Sequence, residues 1–145
     1  MRQTIPIHPE NSREIEQINE ILRAYKLGEF STMAGKVIAC RDGSEIVGCA
    51  AIAPEWTQGV TRWWLNGVAV RRDRRRQGIG KELIATFTER CPPRDQIWLE
   101  TLFWNRRFYT SCGFTFQPIR AITDQLGFDP RHYRNTMVMF RQSSE

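Results

Sequence analysis

A strand-forming run that leads into a basic, glycine-bearing turn constrains this chain more than any other feature. The run is Val68-Ala69-Val70, and its residue types are typical of a buried strand. The turn after it ends in the segment Arg75-Arg76-Gln77-Gly78-Ile79-Gly80-Lys81. Apolar residues then recur at helical spacing, which predicts an amphipathic helix. The fold must therefore hold a strand, a glycine turn and a helix in direct succession.

This turn has the properties of a cradle for pyrophosphate. A helix N-terminus carries backbone N–H groups without intrahelical partners, together with a partial positive charge. Gly78 and Gly80 have no side chains, so the backbone can approach phosphate oxygens closely. A cationic field is added by the neighbouring residues Arg71, Arg72, Arg74, Arg75 and Arg76.

Two familiar phosphate-binding loops are excluded by residue type. A P-loop needs Gly six positions before Lys81 and Ser or Thr directly after it, but this chain has Arg75 and Glu82 there. A dinucleotide-binding fingerprint needs Gly three positions after Gly80, where this chain has Leu83. The turn is therefore of neither type.

The N-terminal part of the chain predicts a strand followed by a helix. Residues 4–8 alternate weakly, as in a short strand. Asn11 with Glu14 three positions later is a variant of the capping box, which predicts a helix starting near Ser12. We expect that helix to end at Gly28.

The remainder predicts an α/β domain with the order β-α-β-β-β-α-β-α-β-β. Asp42-Gly43 is a hairpin-turn signal, and Pro54 is expected to end the return strand. Gly113 is expected to cap the second of the two later helices. The predicted strands cover residues 36–40, 45–53, 63–70, 97–102, 114–117 and 137–141, and the short later helix covers residues 106–111.

Composition and length agree with one ordinary globular domain over residues 1–145. The net charge of +5 fits an anionic ligand, and equally a nucleic acid or a membrane surface. No apolar run approaches the roughly 20 residues that span a bilayer. The first ten residues lack the apolar segment of a secretory signal, and the four cysteines form no CxxC pair. We therefore expect a cytoplasmic protein with reduced thiols, no metal site and no membrane partner.

The strand and turn resemble the acetyl-CoA signature of the GNAT acetyltransferases, through Arg75-x-x-Gly78-x-Gly80 after a Val-Ala-Val strand. A second family segment is similar to Phe108-Tyr109-Thr110-Ser111-Cys112-Gly113-Phe114, with a Leu-Glu-Thr strand before it. The resemblance extends over residues 12–141, because the order of elements agrees as well. It implies a mixed, mostly antiparallel twisted sheet flanked by helices, and acetyl-CoA as cosubstrate.

The resemblance also implies a reaction without an acyl-enzyme. The sheet is expected to splay beside Val68, Ala69 and Val70, whose backbone would hold the pantetheine arm. The pyrophosphate would rest on residues 76–81. An amine would then attack the thioester directly, and Tyr109 matches the residue that protonates the leaving thiolate. A phenol has an ordinary pKa of about 10, so it is protonated at neutral pH.

Two further residues of the resemblance carry open alternatives. Glu100 matches a position that acts as general base in some members, and it could equally be a charged residue on the sheet surface. Asn66 occupies another carboxylate position of the family and cannot act as a base. Asn105 lies four residues before Tyr109, where many members have a gap of seven. It either contacts the cofactor or caps the short helix, and we favour the cap.

Two other functions compete with an N-acetyltransferase. One is an acyl-CoA-binding sensor without catalysis, and Tyr109 argues against it. The other is an RNA-associated basic protein, which would have no need of Gly78 and Gly80 at a helix start. We therefore expect an amine acceptor and no nucleic-acid partner, and a homodimer stays compatible with the sequence. The acceptor itself is not revealed, because it would be chosen by the segments 27–36 and 119–136.

Overall fold

The computed structural model describes residues 1–8, 10–28, 30, 35–57, 60–117 and 137–142. Its elements follow the predicted order, with short 3-10 turns at Arg72–Arg74 and Phe103–Asn105. The elements are β1 (Arg2–Pro6), α1 (Ser12–Ala24), β2 (Lys36–Asp42), β3 (Glu45–Thr57), β4 (Val60–Val70), α2 (Ile79–Arg90), β5 (Gln96–Thr101), α3 (Arg106–Ser111), β6 (Thr115–Gln117) and β7 (Met137–Gln142). Within these ranges, no helix is long and apolar enough to cross a bilayer.

The strands form a seven-stranded sheet in the order β1-β2-β3-β4-β5-β7-β6. Every neighbouring pair is antiparallel except β4 and β5, which are parallel. The mixed, mostly antiparallel sheet is therefore confirmed. The side chains of each strand alternate between two faces, so the sheet buries one core under α1 and a second core under α2.

Neighbouring residues on β2 show this division. Val37 packs beneath α1 with Ile18 and Leu22, whereas Ile38 packs beneath α2 with Phe87. All five side chains are almost fully buried. Burying a large apolar side chain contributes about 1.5–3 kcal/mol, so both helices are held to the sheet along their apolar stripes.

Helix α1 starts as predicted and ends earlier than predicted. Asn11 accepts the N–H of Glu14 at 3.1 Å, which confirms the N-cap. At the other end the left-handed residue is Lys26, with φ of 56°, and not Gly28. The N–H of Lys26 donates to Arg23 O and that of Leu27 to Leu22 O, both at 2.9 Å. This is the Schellman hydrogen-bond pair, so the helix is closed two residues before the glycine.

Pro54 does not end β3, contrary to the prediction. The strand continues to Thr57, and Pro54 pairs with Trp63 on β4. A proline is tolerated where one strand edge needs no N–H donor. Among the described residues, the pairing of β3 with β2 ends at Ile52, and Pro54 lies past it.

The parallel pair β4–β5 is short and then separates. Its register contains only Arg62↔Gln96, Trp63↔Ile97 and Trp64↔Trp98. Beyond Trp64, β4 continues to Val70 paired with β3 alone, while β5 continues paired with β7. An extra β4 residue, Asn66, stands in the register shift opposite Ala51 and Ile52. Such a bulge bends a strand, and it lies where the two strands part.

The four cysteines are free thiols, as predicted. Cys40, Cys49 and Cys91 are buried in the core. Burial raises the pKa of Cys49 and of Cys91 to about 12. A thiol with so high a pKa supplies almost no thiolate at neutral pH, which argues against a nucleophilic role for either residue.

Gly48 should be essential to the contact of α2 with the sheet. A Cβ at this residue would lie 3.0 Å from Ile79 Cγ2 and 3.2 Å from Ala69 O. We expect Gly48→Ala to lower the free energy of unfolding by about 1–3 kcal/mol, the range for overpacking. Gly28→Ala is the control, since a Cβ there meets nothing within 4 Å. Urea unfolding of both variants tests this, and equal midpoints would contradict the packing described.

Candidate active site

A cavity of about 590 Å³ opens beside the end of β4. Its described lining comprises Tyr25, Val68, Ala69, Val70, Arg74, Arg75, Arg76, Gly78, Ile79, Gly80, Lys81, Asn105, Phe108 and Tyr109. The cavity therefore brings together most of the predicted site residues, from β4, the turn, α2 and α3. Gln77 and Glu100 are not among the described residues that line it.

The edge of β4 that faces the cavity offers backbone groups. The N–H of Arg71 donates to Val47 O of β3 at 2.8 Å. Groups of alternate residues point to opposite edges of a strand, so the N–H and C=O of Val68 and Val70 point away from β3. β5 does not reach this part of β4. The amides of Val68 and Val70 are therefore presented to the gap between the strands.

Helix α2 begins at the cavity with left-handed backbone. Gly78 is its N-cap residue with φ of 79°, and Arg76 two positions earlier has φ of 64°. The first intrahelical bond runs from Glu82 N–H to Gly78 O at 3.1 Å, so the N–H groups before Glu82 have no intrahelical acceptor. The side chain of Ile79 is buried and fixes this first turn on the sheet.

Glycine is required at Gly78 and at Gly80 for different physical reasons. A Cβ at Gly78 would meet nothing within 4 Å, so its left-handed φ is what requires glycine. A Cβ at Gly80 would lie 3.0 Å from Phe108 Cζ. Gly80 therefore allows α3 to pack on α2, a reason the sequence did not suggest.

The arginine tract is less uniform than its sequence suggests. Arg71 binds Asp73 at 2.9 Å and Glu45 at 3.3 Å, and Arg74 binds Asp42 at 2.6 Å. The hydrogen bond from Arg74 also lowers the pKa of Asp42. The expectation that all five guanidinium groups add to one cationic field is wrong for Arg71 and Arg74, because carboxylates already oppose their charge.

The spacing Tyr-x-x-x-Gly-Phe has a structural cause at the end of α3. Gly113 has φ of 95°, and its N–H donates to Thr110 O at 3.1 Å. The N–H of Phe114 donates to Tyr109 O at 3.1 Å, which completes a Schellman motif and confirms the predicted cap. The buried ring of Phe114 lies edge-on to Tyr109, with centroids 5.9 Å apart. The motif thus fixes the Tyr109 ring in place.

Tyr109 is an unusually weak acid in this setting. Burial raises its pKa to about 12, and the neighbouring Cys112 contributes in the same direction. Desolvation disfavours the phenolate, so the hydroxyl group keeps its proton well above neutral pH. Tyr109 is therefore a hydroxyl donor beside the gap between β4 and β5.

Asn105 and Glu100 occupy different settings. Asn105 lines the cavity and makes no side-chain capping bond to α3, so the favoured capping role is wrong. Glu100 is exposed on β5, between the buried residues Leu99 and Thr101. Its side chain therefore shares a sheet face with Trp98, which is the opposite face from the core residue Leu99.

Two lining residues were not predicted as site residues, namely Tyr25 and Phe108. Tyr25 continues the apolar stripe of α1 after Ile18 and Leu22, so the sequence indicated a core residue. Phe108 was visible only as part of the second motif, and its contact with Gly80 depends on tertiary packing.

Comparisons with known proteins identify the family of this chain. A family model described as the acetyltransferase (GNAT) family matches residues 4–114. A comparison with curated protein sequences gives no significant match. Similar solved structures include Naa50 of Arabidopsis thaliana in complex with the bisubstrate analogue CoA-Ac-MVNAL, with a TM-score of 0.74, 15% identity and 97% of each chain covered.

Two other solved structures are similar to this chain over nearly its whole length. An aminoglycoside 6′-N-acetyltransferase complexed with coenzyme A has a TM-score of 0.75 at 15% identity, covering 99% of this chain and 98% of that one. Ard1 from Thermoplasma volcanium has a TM-score of 0.71 at 19% identity, with 99% of each chain covered. Likeness at these identities shows the fold, whereas the family model identifies the family. The chain belongs to the GNAT acetyltransferase family and is an acetyl-CoA-dependent N-acetyltransferase.

Proposed function

We propose that this protein transfers an acetyl group from acetyl-CoA directly to an amine within a ternary complex, with Tyr109 as the proton donor. The observation that carries the proposal is the composition of one cavity. An open strand edge at Val68 and Val70, a helix N-terminus at Gly78 and the hydroxyl side chain of Tyr109 all line it. These are the groups needed to hold an amide-containing arm, a pyrophosphate and a departing sulfur.

The cavity fits acetyl-CoA on two grounds. The N–H groups of Val68 and Val70 lie on an edge that β5 leaves unpaired, so they can donate to the pantetheine arm as a neighbouring strand would, whereas Val70 O already accepts the hydroxyl of Tyr25. The start of α2, with Arg75, Arg76 and Lys81 beside it, suits the pyrophosphate. We assign Asn105 to acetyl-CoA as well, because it lines the cavity, and Gln77, because it lies in the same turn. Bound acetyl-CoA would supply the acetyl thioester.

Tyr109 donates a proton to the coenzyme A sulfur as the C–S bond breaks. The amine nitrogen forms the new C–N bond and gives up one proton, so the proton count balances across the reaction. With a pKa of about 12, the phenol stays protonated at every pH at which an amine of ordinary pKa, about 10, becomes deprotonated. Donor and nucleophile are thus available in the same pH range.

Glu100 accepts the proton from the acceptor amine, directly or through water. Its exposed side chain stands on β5 immediately past the parallel pairing with β4. Asn66, exposed at the bulge of β4, carries no ionisable group. The test of Glu100 is independent of the test of Tyr109.

The acceptor is proposed only as an amine. The Naa50 structure contains an analogue that joins coenzyme A to a peptide, and another similar structure is an aminoglycoside acetyltransferase. The segment 119–136, expected to select the acceptor, lies outside the described residues, as do the side chains of residues 29 and 31–34. Release of coenzyme A thiol from acetyl-CoA, measured across amino acids, polyamines, aminoglycosides and peptide N-termini, tests the proposal. Acetyl-CoA binding without turnover on any amine would favour the sensor function instead.

Gly78 should be required for acetyl-CoA binding. We expect Gly78→Leu to weaken the affinity at least about tenfold, or ~1.4 kcal/mol, because the side chain would occupy the approach to the helix N-terminus. Gly43→Leu is the matched control, since Gly43 also has a left-handed φ, of 63°, and open space around its Cβ position. Both variants should lose similar stability. Calorimetry that shows equal acetyl-CoA affinity in the two would remove the cradle assignment.

Tyr109→Phe should lower kcat by about 10²–10⁴-fold, the usual contribution of general acid catalysis. The Phe ring keeps the contacts with Phe108 and Phe114, so the dissociation constant for acetyl-CoA should stay nearly unchanged. Single-turnover kinetics and calorimetry measure the two quantities separately. A kcat equal to wild type, with the chemical step rate-limiting, would exclude Tyr109 from proton transfer.

Glu100→Gln should lower kcat/KM most at neutral pH and least at high pH. The acceptor amine is already deprotonated at high pH, so a missing base then matters less. Glu89→Gln, which removes the same charge from an exposed site on α2, is the control and should leave the profile unchanged. If the Glu100→Gln profile runs parallel to that of wild type at every pH, Glu100 is a surface residue and not the base.

A further inference from the structure

We propose that Tyr25 is a positioning residue that orients Arg75 toward the phosphates of acetyl-CoA, an inference that rests on the proposed cofactor site. Tyr25 lies just past the last residue of α1, remote in sequence from both family motifs. It nevertheless lines the same cavity as Arg75 and Tyr109. No feature of the sequence indicated a role for it beyond packing.

The hydroxyl group of Tyr25 joins two parts of the cavity wall. It donates to Val70 O at 2.5 Å and accepts the Nε–H of Arg75 at 2.9 Å. A phenol offers one donor and two acceptor lone pairs, so both bonds can form together. Val70 ends β4, and Arg75 stands in the turn before α2. The hydroxyl thus fixes the turn relative to the strand edge.

The ring of Tyr25 adds a second contact with the same turn. The guanidinium carbon of Arg75 lies 5.0 Å from the ring centroid, and that of Arg72 lies 5.6 Å from it. Both distances are within the range of cation–π attraction. Tyr25 therefore holds two arginines through its ring and one of them through its hydroxyl group as well.

These two arginines differ from Arg71 and Arg74 in what opposes their charge. Arg71 and Arg74 are bound by carboxylates. Arg72 and Arg75 instead contact the neutral ring of Tyr25, and neither forms an ion pair within the described part of the chain. A neutral phenol positions a guanidinium without cancelling its charge, whereas a carboxylate cancels it. An arginine that binds a phosphate therefore benefits from a neutral partner such as the phenol.

The hydrogen bond through Nε also leaves the two terminal NH2 groups of Arg75 available for phosphate oxygens. Five N–H donors form the guanidinium fork, and only the Nε–H is used by Tyr25. The remaining donors can form the charge-assisted bonds that phosphate oxygens accept. Tyr25 therefore lowers the cost of ordering Arg75 before the ligand arrives, which is preorganisation of a binding group.

The decisive variant is Tyr25→Phe, which keeps the ring and removes both hydrogen bonds. We expect the dissociation constant for acetyl-CoA, measured by calorimetry, to rise about tenfold, as for the loss of one hydrogen bond to a charged group. KM for acetyl-CoA should rise in parallel, while kcat at saturation changes little. Tyr109→Phe is the matched control, since it removes a hydroxyl from the same cavity. It should lower kcat and leave the dissociation constant for acetyl-CoA nearly unchanged.

A double-mutant cycle with Arg75→Gln tests whether Tyr25 acts through Arg75. If it does, Tyr25→Phe should add almost nothing to the loss of affinity in the Arg75→Gln background. Losses that multiply fully would overturn the proposal, as would a wild-type affinity in Tyr25→Phe alone. Failure of the wild-type protein to bind acetyl-CoA at all would instead refute the cofactor site proposed above, so the two failures are distinguishable.

Discussion

The separation of β4 from β5 is the feature on which the rest of the site depends. Three residue pairs hold the strands together, and past Trp64 each strand follows a different partner. A continuous sheet would have used the amides of Val68 and Val70 for strand pairing. Because the sheet opens there, those amides, the start of α2 and α3 all border one cavity. The bulge at Asn66 lies just where the strands diverge.

The elements around this gap are coupled by close packing between helices. Gly80 on α2 allows Phe108 on α3 to approach closely, because a Cβ at Gly80 would lie 3.0 Å from Phe108 Cζ. Gly113 and Phe114 then hold the other end of α3 through the Schellman motif. Tyr109 lies between these two contacts. Its placement is therefore determined by the same glycines that the sequence marks as motif residues, so the second motif has a packing role.

The sequence was a good guide wherever local rules decide the outcome. The N-cap at Asn11 depends on residues a few positions apart, and so does the glycine cap at Gly113. The predictions from sequence failed where tertiary contacts override local preference. Lys26 adopts a left-handed conformation although Gly28 stands nearby, and Pro54 remains in a strand past Ile52, where the described pairing with β2 ends.

Charge was the property that the sequence predicted least well. A run of arginines gives the total charge but does not show that Asp42, Glu45 and Asp73 lie against Arg71 and Arg74. Nor does it show that Tyr25, 45 residues before Val70 and 50 before Arg75, contacts both. The pairs with Asp42 and Glu45 arise from the turn between β2 and β3, which the hydrogen-bonded sheet brings beside the end of β4, whereas Asp73 lies only two residues from Arg71. Local sequence carries no signal for contacts of that kind.

The most direct test of this account is a residue-resolved map of acetyl-CoA binding by two-dimensional ¹H–¹⁵N NMR and amide hydrogen exchange. If the gap holds the cofactor, the amides of Val68, Val70, Gly78, Gly80 and Lys81 should shift together on titration, and those of Val68 and Val70 should gain protection from exchange. Amides at the far edge of the sheet, in β1, should stay unchanged. Saturating shifts confined to another surface, with Val68 and Val70 unaffected, would contradict it.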